Sequence, residues 1–385
     1  MDTNRTRSPV KTLKWHQVNS WRLSQHNLTH RLSTGDLIQA VRQSMGVHAQ
    51  NMSAAELAIA ARVDELSPQD IQDALWQDRT LIKTWMMRQT LHLFPAADFP
   101  TYIAARRSTD INWPSIFDKQ GIDRATLDAY LAASAEILGS GPLTRQQFVE
   151  AVHGRLKSPE LHEFLSHGTW GTAFKPLAWR GELCFGPNVG SNTTFIRPST
   201  WLGGWQEVDP EVAMRKIVRQ YLMVYGPARP RNFQVWWWMS GVAAKKAFDS
   251  IADEIEVVDV EGWRSTVLKA TIEPMLEMEP SGKVNLLPAF DMYTVGLARG
   301  KDLERLIPLD WQKKVYRQQG WVSAVILVDG YIKGTWEFQN QHNQAIITVA
   351  LFEPVTTYIR DGIAAEAEHL AKFLNTKILF EFKSD

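Results

Sequence analysis

The chain has 385 residues, 44% of them hydrophobic and 22% charged, which suits a soluble globular protein of two or more domains. Its 42 basic and 42 acidic side chains cancel, so the whole-chain charge gives no support to nucleic-acid binding. One cysteine, Cys184, excludes an intrachain disulfide and suggests a reducing compartment, and there is neither an apolar run of about 18 residues nor a signal core, so a cytoplasmic monomer is expected.

Residues 1–30 form a weakly patterned lead-in. His26 and His30 stand four apart but lack a third ligand, so they read as surface residues and no metal is expected. From 31 to 97 the order is helices followed by a hairpin. Leu37, Ile38, Val41 and Met45 mark a helix that Gly46 ends. Ser53, with Glu56 three residues on, reads as the capping box of a second, and Ser67-Pro68 starts a third. Alternating residues from Thr80 to Phe94 then make a hairpin. That order is a winged helix.

The order recurs over 98–208. Asp98 to Arg107, Asp123 to Leu138, Thr144 to His153 and Gly168 to Trp179 are helical, and Glu182 to Phe185 pairs with Thr194 to Arg197. A third copy spans 209–280. Asp209 caps its first helix, Pro230 to Met239 and Val242 to Ile251 follow, and Glu254 to Val260 pairs with Trp263 to Leu268. At least two rings of Trp236-Trp237-Trp238 belong in a core. From 281 to 385 the pattern changes to short strands, at Val284 to Leu287, Val322 to Val328, Tyr331 to Phe338, Gln344 to Leu351 and Ile378 to Phe382. One helix near Ile363 to Leu374 interrupts them, and the unit reads as a small β-barrel or curled sheet.

No Gly-rich phosphate loop, paired-cysteine zinc spacing, Gly-x-Ser-x-Gly elbow or His-Glu-x-x-His occurs, which removes the common hydrolase, kinase and zinc-enzyme readings. No cofactor is expected. Residues 211–250 carry seven Lys or Arg against two acids, and 251–310 carry twelve acids against six bases. This is either a polarised DNA-binding molecule or two solvated faces of opposite sign.

Four separated segments resemble the AlkZ/YcaQ superfamily of bacterial winged-helix DNA glycosylases: Gly46 to Gln50, Arg88 to Pro100, Leu286 to Gly296 and Val325 to Phe338. The resemblance, spanning roughly residues 30–380, implies an α+β, helix-rich fold. Three tandem winged helices would bend into a C, closed by the C-terminal barrel. It also implies hydrolysis of the N-glycosidic bond of alkylated purines (N7, N3 or bulky adducts) in duplex DNA, at home in the nucleoid. The matching catalytic site holds Gln-x-Gln in the AlkZ-like branch and Gln-x-Asp in the YcaQ-like branch. Here His48 and Gln50 occupy it, so the first position departs from both.

Chemically the pair is sufficient. A purine alkylated at N7 or N3 is already cationic, so the enzyme need only hold a water against the anomeric carbon and stabilise a sugar cation. Gln50 would orient that water as a fixed dipole. His48, with an ordinary pKa of about 6.5, would act as a base. The two point the same way only if the backbone between them is extended. The alternative leaves His48 capping its helix or hydrogen-bonded in a core. Arg88, Thr90 and His92, at alternate positions of one strand, would present one face to DNA, with Arg88 on phosphate. Arg229, Arg231, Lys245 and Lys246 would be further phosphate contacts or else a solvated face, and Asp291 has a structural or DNA-facing role. A non-catalytic winged-helix regulator is the rival reading, as is an orphan member acting on another substrate.

Overall fold

The computed structural model of the chain describes residues 10–109, 112–168, 171–297, 304, 306–341 and 344–383. Among these, three sheets of three strands and one of five are present, and no helix is long and apolar enough to cross a membrane.

The first unit has helices Leu37–Gln43, Met52–Ala60 and Pro68–Trp76, then strands Leu81–Trp85 and Leu91–Pro95. A third strand, Val47–His48, lies against Leu91–Pro95 on its other side. Ser67 caps the third helix through a capping box with Asp70, and Pro68 follows at the first helical position. The cap of the second helix differs from expectation. Asn51, not Ser53, takes that place: its Oδ1 accepts from the Ala54 amide at 3.4 Å and from the Ser53 hydroxyl at 2.7 Å. The helix therefore starts at Met52, and Gln50 stands immediately before its cap.

The second unit runs through helices Phe99–Arg107, Trp113–Asp118, Arg124–Gly139, Arg145–Leu156, Pro159–His167 and Lys175–Arg180 to the hairpin Cys184–Val189 and Asn192–Ile196. Pro159–His167 is a helix the sequence reading passed over, although Ser158-Pro159 carries the same cap-and-proline signal as Ser67-Pro68. The helix expected over Gly168 to Trp179 is Lys175–Arg180, and residues 169–170 lie outside the described ones.

The third unit has helices Pro210–Tyr225, Pro230–Trp237 and Gly241–Asp249 and the hairpin Ile255–Val260 and Trp263–Leu268. The lead-in completes it. Thr12–Leu13 pairs in parallel with Asp259 and Val260, and helix Trp15–Gln25 follows. On that helix the buried Arg22 donates to the carbonyls of Tyr225 at 3.0 Å, Gly226 at 3.2 Å and Pro227 at 3.0 Å.

At the C-terminus, strands Val284–Leu287, Val325–Val328, Tyr331–Gln341, Gln344–Leu351 and Lys377–Phe382 form one sheet in chain order. The first four are antiparallel, and the last joins in parallel. A parallel neighbour needs a crossover, which helix Thr357–Leu374 supplies while its apolar side covers the sheet. Two edges stay unpaired, so the barrel is a curled half-barrel. Asp329 and Gly330 both take positive φ, as a two-residue hairpin turn requires.

Two buried arginines join the units. The Arg106 guanidinium lies between the rings of Trp179 and Trp237, each at 4.2 Å, and donates to the Trp237 carbonyl at 2.6 Å. Trp236 and Trp237 are buried and Trp238 is half exposed. Arg62, after the second helix of unit one, grips both oxygens of Asp291 at 2.7 and 2.8 Å.

Candidate active site

The site is built on a glycine. Gly46 has φ +91°, and a Cβ there would come within 2.5 Å of the Phe94 ring. No side chain fits, and this close approach lets Val47 pair with Leu93 and His48 with His92. The ladder continues one residue further, where the Ala49 amide donates to the Leu91 carbonyl at 2.7 Å. The segment is extended, as the two-residue spacing requires. Val47 and Ala49 enter the core of unit one, and strand alternation puts His48 on the opposite side.

His48 is only 4% exposed. Phe290 stacks on its ring with centroids 4.8 Å apart and planes at 14°, while the His92 ring meets it edge-on at 5.5 Å. Burial, with the charge of Arg88 adding, pushes the His48 imidazole down to about 3. That leaves the ring neutral and only feebly basic at physiological pH, which disfavours it as a general base. Gln50 is exposed, and its Oε1 accepts from the Leu91 amide at 3.4 Å. Its carboxamide is thus held beside the hairpin while still reaching solvent.

Arg88, Thr90 and His92 do not share a strand face. The pairing ends at Trp85 with Leu91, and Met87–Gln89 is a short 3-10 turn in which Arg88 has φ +49°. Thr90 lies at the exit of that turn and donates to the Met87 carbonyl at 3.1 Å. Arg88 is half-buried at the hairpin tip, and its charge helps lower both imidazoles, which places it beside them. His92 is wholly buried and cannot meet DNA in this conformation. Its Nδ1 donates to the Thr90 carbonyl at 2.9 Å, and burial holds its pKa well below the usual range.

Asp291 is also sealed, so a DNA-facing role is corrected to a structural one. It caps helix Met292–Gly296, accepting from the Tyr293 amide at 2.9 Å, besides pairing with Arg62. The residue of that motif that reaches the site is Phe290, just ahead of the cap.

The remaining cations are scattered. Arg229 donates to the Arg264 carbonyl at 2.8 Å and lies over Trp263 at 5.1 Å. Arg231 is exposed, and Lys245 reaches Asp249 at 2.5 Å. The basic block and the acidic block after it pair in part with each other, since Arg219 holds both oxygens of Glu254 at 2.6 Å. His26 is not a surface residue. It is buried against Tyr225 and Tyr293, at 5.1 and 5.5 Å, with Arg62 and Arg22 near enough to lower its pKa further than burial does alone.

Comparison with known proteins gives this geometry its context. The model of the DNA glycosylase AlkZ-like family matches residues 41–373. An interstrand DNA cross-link repair glycosylase of Streptomyces sahachiroi is 32% identical over 367 residues, covering 93% of this chain and 96% of that protein. The solved structure of Streptomyces sahachiroi DNA glycosylase AlkZ is similar with a TM-score of 0.85 at 29% identity, over 97% of this chain and 100% of that one. One family match takes in both the His48–Gln50 junction and the Asp291 cap, so the chain belongs to the AlkZ-like family of DNA glycosylases.

Proposed function

We propose that this glycosylase removes alkylated purines, at N7 or N3 or carrying bulky adducts, from duplex DNA. We further propose that its substrates include interstrand cross-links, the lesion named for its Streptomyces relative. Such a purine leaves as a neutral base once the glycosidic bond breaks, so no acid is needed. What the protein must supply is an oriented water and an electrostatic surface for the sugar cation.

Gln50 is suited to the first task. One lone pair of its amide oxygen is engaged by the Leu91 amide, which fixes the group, and the other can accept from a water. His48 supplies a neutral, immobile imidazole beside it and takes no proton. Its share in catalysis is positional, and the Phe290 stack enforces it. Arg88 at the hairpin tip, with Thr90, Arg229, Arg231 and Lys245, contacts the DNA backbone. The observation that carries this reading is the exposed, backbone-tethered carboxamide of Gln50 at the end of a ladder whose neighbouring ring is neutral.

The test is single-turnover release of 7-methylguanine from methylated duplex, alongside unhooking of a cross-linked oligonucleotide. Gln50→Ala should slow release about 10²–10³-fold, in line with loss of one preorganised polar group. His48→Gln, which restores the two-glutamine pattern, should remain active. Release unchanged in both Gln50→Ala and His48→Ala would overturn the proposal.

A further inference from the structure

The stack above His48 does not end at Phe290. Trp321 meets Phe290 edge-on, with centroids 4.9 Å apart and planes at 73°. It is 45% exposed, an unusual placement for an indole with apolar neighbours to pack against. Two aromatic rings, one half-buried and one half-exposed, thus rise from the buried imidazole toward solvent.

The backbone holds this arrangement firmly. Phe290 takes φ +61°, an uncommon conformation for a bulky residue, and its amide donates to the Val322 carbonyl at 3.2 Å. Trp321 follows a 3-10 turn in which Gln319 and Gly320 also have positive φ. Its carbonyl accepts from the Arg317 amide at 2.9 Å. The ring is presented on a fixed turn, and the exposed Lys313, Lys314 and Arg317 lie on the same stretch of chain.

We infer that Trp321, backed by Phe290, is the surface on which the damaged purine stacks, and that it selects the lesion by charge. This rests on the reading of the chain as an alkylpurine glycosylase. An N7- or N3-alkylated purine is a flat cation, whereas the undamaged purine is a flat neutral ring. Both stack on indole, but only the cation gains the attraction of the electron-rich face. The protein can therefore prefer the lesion without any hydrogen bond to the alkyl group. Bulky adducts remain acceptable because the platform is open on its outer side.

The proposal is tested by binding and by turnover. A duplex carrying 2′-fluoro-7-methylguanosine, whose glycosidic bond resists cleavage, is titrated against the same duplex with 2′-fluoro-guanosine, with fluorescence anisotropy as the readout. The wild-type chain should prefer the alkylated duplex. Trp321→Ala and Trp321→Leu should each lose about two- to thirtyfold of that preference, the range expected for one cation–π contact, and Trp321→Phe should retain most of it. Affinity for undamaged duplex should change less than about threefold in all three variants, because phosphate contacts are untouched. Thermal midpoints confirm folding, and the leucine variant keeps bulk against Phe290 if alanine loosens the turn. Full preference in Trp321→Leu would overturn the stacking role while leaving the glycosylase reading intact. A wild-type chain that neither prefers nor cleaves alkylated duplex would overturn the reading itself.

Discussion

Replacing Asp291 with alanine strands the guanidinium of Arg62, which is 1% exposed and makes both of its short carboxylate contacts, at 2.7 and 2.8 Å, to that residue. The Ala58 carbonyl, at 2.6 Å, would be left as its one remaining side-chain hydrogen-bond partner among the described residues. Breaking a buried pair from one side costs about 3–5 kcal/mol, because the surviving charge stays desolvated. With an unfolding entropy of roughly 2.1 cal/mol/K per residue, the 385-residue chain loses about 0.8 kcal/mol/K at its midpoint, so the melting temperature should fall by about 4–6 °C. The same change frees the turn bearing Phe290, so the His48 imidazole should rise from about 3 toward its ordinary value. Calorimetry reads the first effect and the histidine ring resonances in an NMR titration the second. The double variant Arg62→Met with Asp291→Asn removes the charge from both sides and keeps an oxygen to cap Tyr293, and it should recover most of the loss. A single variant within 1 °C of wild type, or a double variant no better than the single, would refute this account of the joint.

Stability should fall with acid in a window set by the buried histidines. His26, His48 and His92 all have folded-state values below the unfolded value of 6.5. The unfolded chain binds more protons throughout that interval, so stability is fully present above about pH 6.5 and is lost progressively as pH falls toward 3. Urea titrations at stepped pH check this, and a flat profile between pH 7 and 4 would contradict it. Gly46→Ala should cost more than 2 kcal/mol and disrupt the Val47–His48 pairing, since its methyl would meet Phe94 at 2.5 Å on a backbone of φ +91°. Hydrogen exchange at the Ala49 amide is the local readout, with fast exchange expected.

The helices, the hairpins and the curled C-terminal sheet were legible because their signals are local. The Ser67-Pro68 start, the capping of Pro210–Tyr225 by Asp209 and the Asp329-Gly330 turn each depend on neighbours within four residues. Strands Val284–Leu287 and Gln344–Leu351 have the bounds expected of them to the residue. The spacing of His48 and Gln50 set only a condition, an extended backbone between them, which the pairing with Leu91–Pro95 meets. The environment of that junction was not legible. The ring stacked on His48 is Phe290, 242 positions away, and only the folded chain brings the two together. Arg88, Thr90 and His92 failed as a face because alternation cannot show where a hairpin stops pairing and turns. His26 looked like a surface residue and Asp291 was left as structural or DNA-facing, yet the Tyr225–Tyr293 pair and Arg62 give them interior partners.

The parallel pairing of Thr12 with Asp259 has a kinetic corollary. During synthesis at about 5–20 residues per second, the opening strand leaves the ribosome some 12–50 seconds before its docking partner exists. Until then that strand has no sheet to join, and Trp15 has no Trp263 to stack on at 5.4 Å. A strand made so long before its partner is thus among the last to settle, and a nascent chain halted before residue 259 would hold its first two helix-and-hairpin units beside an undocked helix Trp15–Gln25.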